Sequence, residues 1–193
     1  MKIILHIGAP KCGSTYLQRV MLQNQRSLQR AGVDYPHGGE GHPGYGDMIH
    51  SATSSWLKER FERAHTLIFS HEKLFSEAGK TGAFHEALKS LPSLPEVHIV
   101  AFLRPFDDWI FGDISQHVKQ MGLEGVGRRS FRQFVWAREK EIKPSAFLAE
   151  WRAALPSATV TVAPHGEIRP CLTVLCPALG AADWDVPRWQ ANP

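Results

Sequence analysis

The feature that most constrains this chain lies at its start. A mostly apolar stretch, Lys2 to Ile7, runs straight into Gly8-Ala9-Pro10-Lys11-Cys12-Gly13-Ser14-Thr15, and a helix-patterned segment follows. The stretch is short and rich in β-branched residues, which predicts a buried strand. From Ser14 to Arg30 the residues Leu17, Val20, Met21 and Leu28 fall on one helical face, and Gly32 stops the pattern. A strand that ends in a glycine-containing turn and opens a helix is the setting of an anion site. The first N–H groups of a helix point out of its end, where the helix dipole is positive. Glycines let the backbone curl closely around a ligand, and Ser14 and Thr15 add hydroxyl donors in the first turn.

The rest of the chain repeats the alternation of strand and helix. Thr66–Ser70, Val97–Leu103 and Thr159–Val162 read as further short strands. Helical patterns are expected over Asp47–Arg63, Asp107–Met121, Phe131–Glu141, Ser145–Leu155 and Cys171–Leu179, with a loop over Asp34–Gly46 and an irregular tail after Gly180. Such alternation predicts an α/β fold, a three-layer sandwich around a central parallel sheet of four or five strands. With 193 residues, 43% apolar and 21% charged, one domain over residues 1–193 with a real core is expected.

The net charge of +3 suits an anionic small ligand and gives no argument for nucleic acid. No apolar run approaches the ~18 residues of a membrane span. The run at Ile3 to Ile7 is too short for a signal-peptide core, so a cytoplasmic location is expected. Cys12, Cys171 and Cys176 are odd in number and match no zinc spacing, so reduced thiols and no bound metal are expected.

The spacing Gly8-x4-Gly13 followed by Ser-Thr is close to the phosphate loop of ATPases, with two differences. Ser14 stands where that pattern has lysine, and the lysine has moved into the loop at Lys11. There it can reach the oxygen bridging two anionic groups. The third strand ends in Arg104 where an ATPase would place an acid for magnesium.

Residues His6–Leu17, HIGAPKCGSTYL, resemble the 5′-phosphosulfate loop of sulfotransferases that use 3′-phosphoadenosine 5′-phosphosulfate (PAPS), commonly written P-K-[ST]-G-[ST]-T. The His-Ile-Gly before it is more similar to bacterial and carbohydrate-type members. The resemblance implies a P-loop, nucleotide-kinase-like fold, PAPS as donor with 3′-phosphoadenosine 5′-phosphate (PAP) as product, and no required metal. It also implies that Pro10, Lys11, Cys12, Gly13, Ser14 and Thr15 hold the 5′-phosphosulfate, with Lys11 stabilising the leaving phosphate. A second motif, strand then arginine then helix, maps onto Val100–Gly112 and assigns Arg104 to the 3′-phosphate. The family's serine eight residues after that arginine is Gly112 here; either Ser115, one turn on, takes its place or the Gly112 backbone allows close approach of the ligand. Members usually continue after the last strand with a basic loop over the cofactor. Here Arg188 is the candidate for that role, and the C-terminal part is expected to be short or truncated.

A base must take the acceptor's proton. In the family the end of the second strand supplies it, and here that end is Ser70-His71-Glu72-Lys73. Glu72 is the first candidate and His71 the second. The acceptor is a hydroxyl or amine of a small molecule or glycan, carbohydrate included; its identity and the oligomeric state stay open. Two other readings remain at this level. One is a small-molecule or nucleotide kinase using Mg-ATP with Glu72 near the metal; the other is a degenerate, nucleotide-binding relative without turnover. His37, Glu40 and His42 sit in a glycine-rich loop read as lying on the acceptor side. His117, Lys119, Arg128, Arg129 and Arg132 are candidate rim groups.

Overall fold

A computed structural model describes residues 1–9, 12–37, 43–44, 46–126, 131–137, 143–166, 168–178 and 184–186. Five parallel strands form one sheet in the order β2-β3-β1-β4-β5: β1 Lys2–His6, β2 Val33–Asp34, β3 Thr66–Ser70, β4 Glu96–Leu103 and β5 Thr159–Pro164. β2 is only two residues long, too short to leave a periodic signature; it is a fifth strand beside the four located in the sequence, within the four or five expected.

Alternation along the strands decides the layers. Ile3 and Leu5 on β1, with Ile7 just after it, point to one face, against α3 (Ser54–Arg63), α4 (Gly82–Lys89) and α7 (Pro144–Ala154). Ile4 points to the other face, against α1 (Ser14–Gln23), α2 (Gln25–Arg30) and α8 (Ile168–Leu175). Both faces are therefore covered, which is why the strands read as nearly continuous apolar runs. Each buried large aliphatic side chain contributes about 1.5–3 kcal/mol. Trp151 of α7 is fully buried, and its indole N–H donates to the Leu74 carbonyl at 2.9 Å. The three-layer α/β sandwich is thus the fold.

The predicted helix from Ser14 to Arg30 is broken at Asn24. The Asn24 amide donates to the carbonyls of Val20 and Asp185 (both 2.8 Å), and its oxygen accepts the Asp185 N–H at 2.9 Å. A short polar side chain that bonds to backbone competes with the helix, and here it ties the segment 184–186 to the far end of α1. The helix expected over Asp47–Arg63 is likewise split, into a 3-10 turn at Gly46–His50 and α3. Thr53 starts α3 afresh by accepting the Trp56 N–H at 3.2 Å. Helix α4 carries no strong sequence signal, yet it buries Phe84, Ala87 and Leu88. The remaining helices, α5 (Phe106–Val126) and α6 (Phe131–Ala137), follow β4. Among the described residues no helix is long and apolar enough to cross a membrane.

From β1 the chain leaves along one face with α1; from β4 it returns to β5 by way of α7 on the opposite face. Connections that part this way open a crevice at the carboxyl ends of the strands. The loop after β1 and Arg104 after β4 both lie at that edge.

Candidate functional site

Helix α1 opens on Gly13, whose φ of +67° is left-handed, and no side chain caps the helix there. A helix N-terminus without a side-chain cap leaves first-turn N–H groups for another acceptor. The glycine is required twice over. A side chain is strained at this φ, and a Cβ would stand 2.5 Å from Nε2 of His165. His165 follows β5 directly, with its backbone N–H bonded to the Leu103 carbonyl at 2.6 Å. Burial lowers its pKa, with a further push from the Arg104 charge, so the ring beside the loop is neutral and lies close to Arg104.

Cys12 lies just before this turn and is buried. Burial pushes its thiol up to about 11, although the Arg104 backbone N–H and the Arg104 charge both pull it down. It is therefore a neutral wall group at neutral pH. Pro10 and Lys11 lie outside the described residues, as do Glu40, His42, Arg128, Arg129 and Arg188. Thr15 is half-buried. With Gly13, Tyr16 and Arg19 it lines a cavity of about 340 Å³ on the outer side of α1.

Ser14 behaves differently from its neighbour. It is 5% exposed, and its hydroxyl packs on Gly8 beside the ring of His6. Beneath the loop lies a buried polar hub that the sequence reading did not find. His6 Nδ1 and Ser70 Oγ are 2.7 Å apart, and the Gln18 amide donates to Ser70 Oγ (3.1 Å) and to its carbonyl (3.3 Å). His6, Gln18 and Ser70 are all fully buried. Burial alone lowers His6 to about 4, so it is neutral. Tyr35, buried nearby, donates its hydroxyl to the Pro43 carbonyl at 2.6 Å, and burial raises its pKa. Among the described residues, His6 Nε2, Ser14 Oγ and Gln18 Oε1 are buried without a hydrogen-bond partner. Such atoms are costly and concentrate where a structure is held for a purpose. The signal available was positional: His6 ends the first strand, and Ser14 and Gln18 are one helical turn apart.

Both candidate bases sit at the carboxyl end of β3. His71 is buried, and its Nδ1 accepts the Lys73 N–H at 3.0 Å. That bond places the proton of the neutral ring on Nε2, leaving no free basic nitrogen in this tautomer. Glu72 is half-buried and begins the 3-10 turn Glu72–Ser76.

Arg104 is half-buried after β4. Gly112 and Ser115 lie in the second and third turns of α5, half-buried and exposed respectively. His117 is turned back along its own helix, 2.9 Å from the Asp113 carbonyl and 3.6 Å from its carboxylate. Lys119 is exposed, Arg132 stacks on the Trp136 ring at 5.3 Å, and His37 stacks on Tyr35. A second cavity, of about 130 Å³, opens between the loop and α5, with Ala9, Cys12 and Arg104 on one side and Phe106, Trp109 and Pro144 on the other.

Fold and site together define an α/β protein whose strand–loop–helix unit meets an arginine and a neutral histidine at the carboxyl edge of an all-parallel sheet. No protein-family model, curated protein or solved structure matches the chain.

Proposed function

We propose that this chain is a sulfotransferase that moves a sulfuryl group from PAPS to a hydroxyl or amine of an acceptor. The observation that carries the reading is the uncapped, left-handed entry of α1 at Gly13, with Arg104 and His165 brought beside it from two neighbouring strand ends. A ligand with two separate anionic groups fits this set: one for the helix N-terminus and Lys11, one for the Arg104 guanidinium. An open groove of about 340 Å³ along Gly13, Thr15, Tyr16 and Arg19 leaves room for the nucleoside beside the loop.

Bound PAPS supplies the sulfuryl group and a phosphate leaving group. The acceptor oxygen or nitrogen forms the new bond to sulfur as the bond from sulfur to the bridging phosphate oxygen breaks. The acceptor's proton passes to the Glu72 carboxylate. Lys11 and the first N–H groups of α1 neutralise the charge that grows on the departing phosphate, and such fixed donors act most strongly when charge develops in the transition state. The neutral His165 ring offers an N–H to the same phosphate without adding a cation beside Arg104.

Calorimetry with PAP in metal-free buffer tests this directly. Binding without magnesium is the expected result. A response to Mg-ATP and none to PAP would move the protein to the kinases, and PAP binding without turnover on any acceptor would make it a degenerate relative. Lys11→Ala is expected to lower turnover by about 10²–10³, the usual cost of one such donor. Glu72→Gln should keep PAP binding and lose about 10²–10⁴ in rate; full activity in that variant would remove Glu72 from the role.

A further inference from the structure

We propose that Gln18 is a positioning residue for the proton transfer: by holding Ser70 it ties the helix that opens at the donor loop to the strand end that carries Glu72. The proposal rests on the sulfotransferase reading with Glu72 as the base, and it adds a residue that acts through that base.

Gln18 stands one turn after Ser14 in α1, so the helix itself sets its place relative to the loop. Its amide nitrogen donates to Ser70 Oγ at 3.1 Å and to the Ser70 carbonyl at 3.3 Å. A carbonyl only accepts, so the nitrogen and not the oxygen of the amide must face it. Ser70 is the last residue of β3, and Glu72 follows two positions later. One side chain thus joins donor loop and base across 52 positions of sequence.

The sheet alone does not make this link. Its ladder sets Ser70 opposite His6, and the His71 N–H donates to the His6 carbonyl at 3.3 Å. Such bonds run within the sheet. They hold the strand end against β1 and leave its distance from the helix layer to side chains, and Gln18 spans that direction. The amide is also packed from the other side: a Cβ at Gly44 would stand 2.6 Å from its nitrogen and 2.8 Å from its oxygen. The Tyr35 hydroxyl anchors the neighbouring backbone by donating to the Pro43 carbonyl at 2.6 Å. Pro43 and Gly44 belong to the loop read as lying on the acceptor side. Donor helix, base strand and acceptor-side loop therefore meet at one amide.

Stability gives no reason for an amide here. Gln18 is fully buried, and its Oε1 has no hydrogen-bond partner among the described residues. A buried acceptor left unpaired counts against folding, and an apolar side chain of the same length avoids it. Catalysis does give a reason. A base must stand within hydrogen-bond reach of the proton it takes, and a misplacement of ~1 Å can cost about 10²-fold in rate.

The test uses the whole chain, with calorimetry of PAP and with PAP release from PAPS in metal-free buffer. Water serves as the acceptor. Its oxygen bonds to sulfur as the bond from sulfur to the bridging phosphate oxygen breaks, its proton passes to Glu72, and sulfate and PAP leave. Gln18→Met keeps the length of the side chain and removes the amide. It is expected to slow release about 10- to 100-fold, with PAP affinity unchanged and a melting temperature equal to the wild type or higher. In the Glu72→Gln protein the same substitution should cost nothing more, because positioning acts only through the carboxylate. Ser70→Ala removes the hydroxyl acceptor and leaves the carbonyl; as the second variant it should slow release by less. Release at the native rate in Gln18→Met overturns the proposal. An equal further loss in the Glu72→Gln background overturns it too, as does a loss of PAP affinity, since either makes Gln18 a structural support. Those failures lie in the variants alone. Wild-type protein that binds no PAP, or binds it and never turns over PAPS, removes the sulfotransferase reading and the proposal with it.

Discussion

The two ends of the parallel sheet are built on opposite terms. At the amino end the polar side chains have partners, and most are half-exposed: His65 meets Thr66 at 2.9 Å. Lys2 and Glu96 pair at 3.3 Å with side chains 32% and 59% exposed, and His98 meets Thr161 at 2.8 Å. At the carboxyl end, His6, Gln18, Ser70 and Ser14 are buried almost completely, and three of their atoms lack a partner among the described residues. Close glycine–histidine contacts do not separate the ends: Gly8 and Gly13 meet His6 and His165 at the carboxyl end, and Gly32 meets His65 at the amino end. A fold that needed only stability would place apolar residues at these positions, since buried polar groups left unsatisfied are destabilising. The difference teaches that the carboxyl edge carries unsatisfied buried polar groups that stability alone does not call for, which supports the proposed ligand site there.

The largest way to break this contrast is Gly13→Val. A β-branched residue at φ +67° adds strain of about 1–3 kcal/mol, and overlap with the His165 ring adds to it. Loss of about 3 kcal/mol in chemical denaturation is expected, together with loss of PAP binding. A variant with native stability and native PAP affinity would show that the turn is an ordinary one.

Next in size is the pH response of His6. Burial holds its folded pKa at about 4, below the ordinary 6.5 that applies to the unfolded chain. Between these values the unfolded chain binds a proton that the folded chain does not, so stability rises with pH across that window and levels off above it. The contribution is roughly 3 kcal/mol between the two limits. His165 and His98 are shifted in the same direction, each with burial as the main cause, and are more exposed than His6. His6→Asn should therefore flatten most of the rise in melting temperature from pH 4 to 7, and His98→Asn should flatten little. Equal effects from the two would erase the difference between the edges.

Arg104→Ala comes third. A charge-assisted hydrogen bond to phosphate is worth about 1.5–3 kcal/mol, or roughly 10- to 150-fold in PAP affinity by calorimetry. Stability should change little, because the half-buried side chain lies at the crevice and not in the core. Unchanged affinity would move the second anion contact elsewhere.

How far the sequence carried differs between these regions for a physical reason. The sandwich was legible because both faces of the central strands are buried, so β1, β3 and β4 appear as apolar runs bounded by turns. β2 was not legible, because two residues have no period. The break at Asn24 escaped because it depends on Asp185, 161 positions away. At the site, Gly13 and Arg104 could be singled out because each follows a strand, and the structure places both at the carboxyl edge. The hub was hidden for the opposite reason. His6 reads as a polar interruption in a strand and Gln18 as a solvent-facing helix residue. Only the pairing of β1 with β3, which sets His6 opposite Ser70, brings them together. His165 could have been found by the same logic as Arg104, since it too follows a parallel strand directly. The stacking of Phe106 on Trp109 spans three residues of one helix and was readable in principle, but exposed aromatics carry no meaning until a cavity is seen beside them.

The smallest expected effect is at the amino edge, and it sharpens the comparison because it is small. Lys2 and Glu96 are cross-strand neighbours on β1 and β4, so the pair has the geometry to stabilise the sheet. Exposure works against it: solvent screens the charges, and ordering two long side chains costs entropy, so exposed pairs contribute about 0–1 kcal/mol. Lys2→Ala should lower stability by no more than that, with the effect shrinking further in high salt as the interaction is screened. PAP affinity and the His6 part of the pH profile should not move, because neither the loop nor His6 touches this pair; only His98, which the Lys2 charge also lowers, should respond. A loss above 2 kcal/mol, or any change in PAP binding, would mean that the two edges are coupled through β1 and that the carboxyl end is not an independent site.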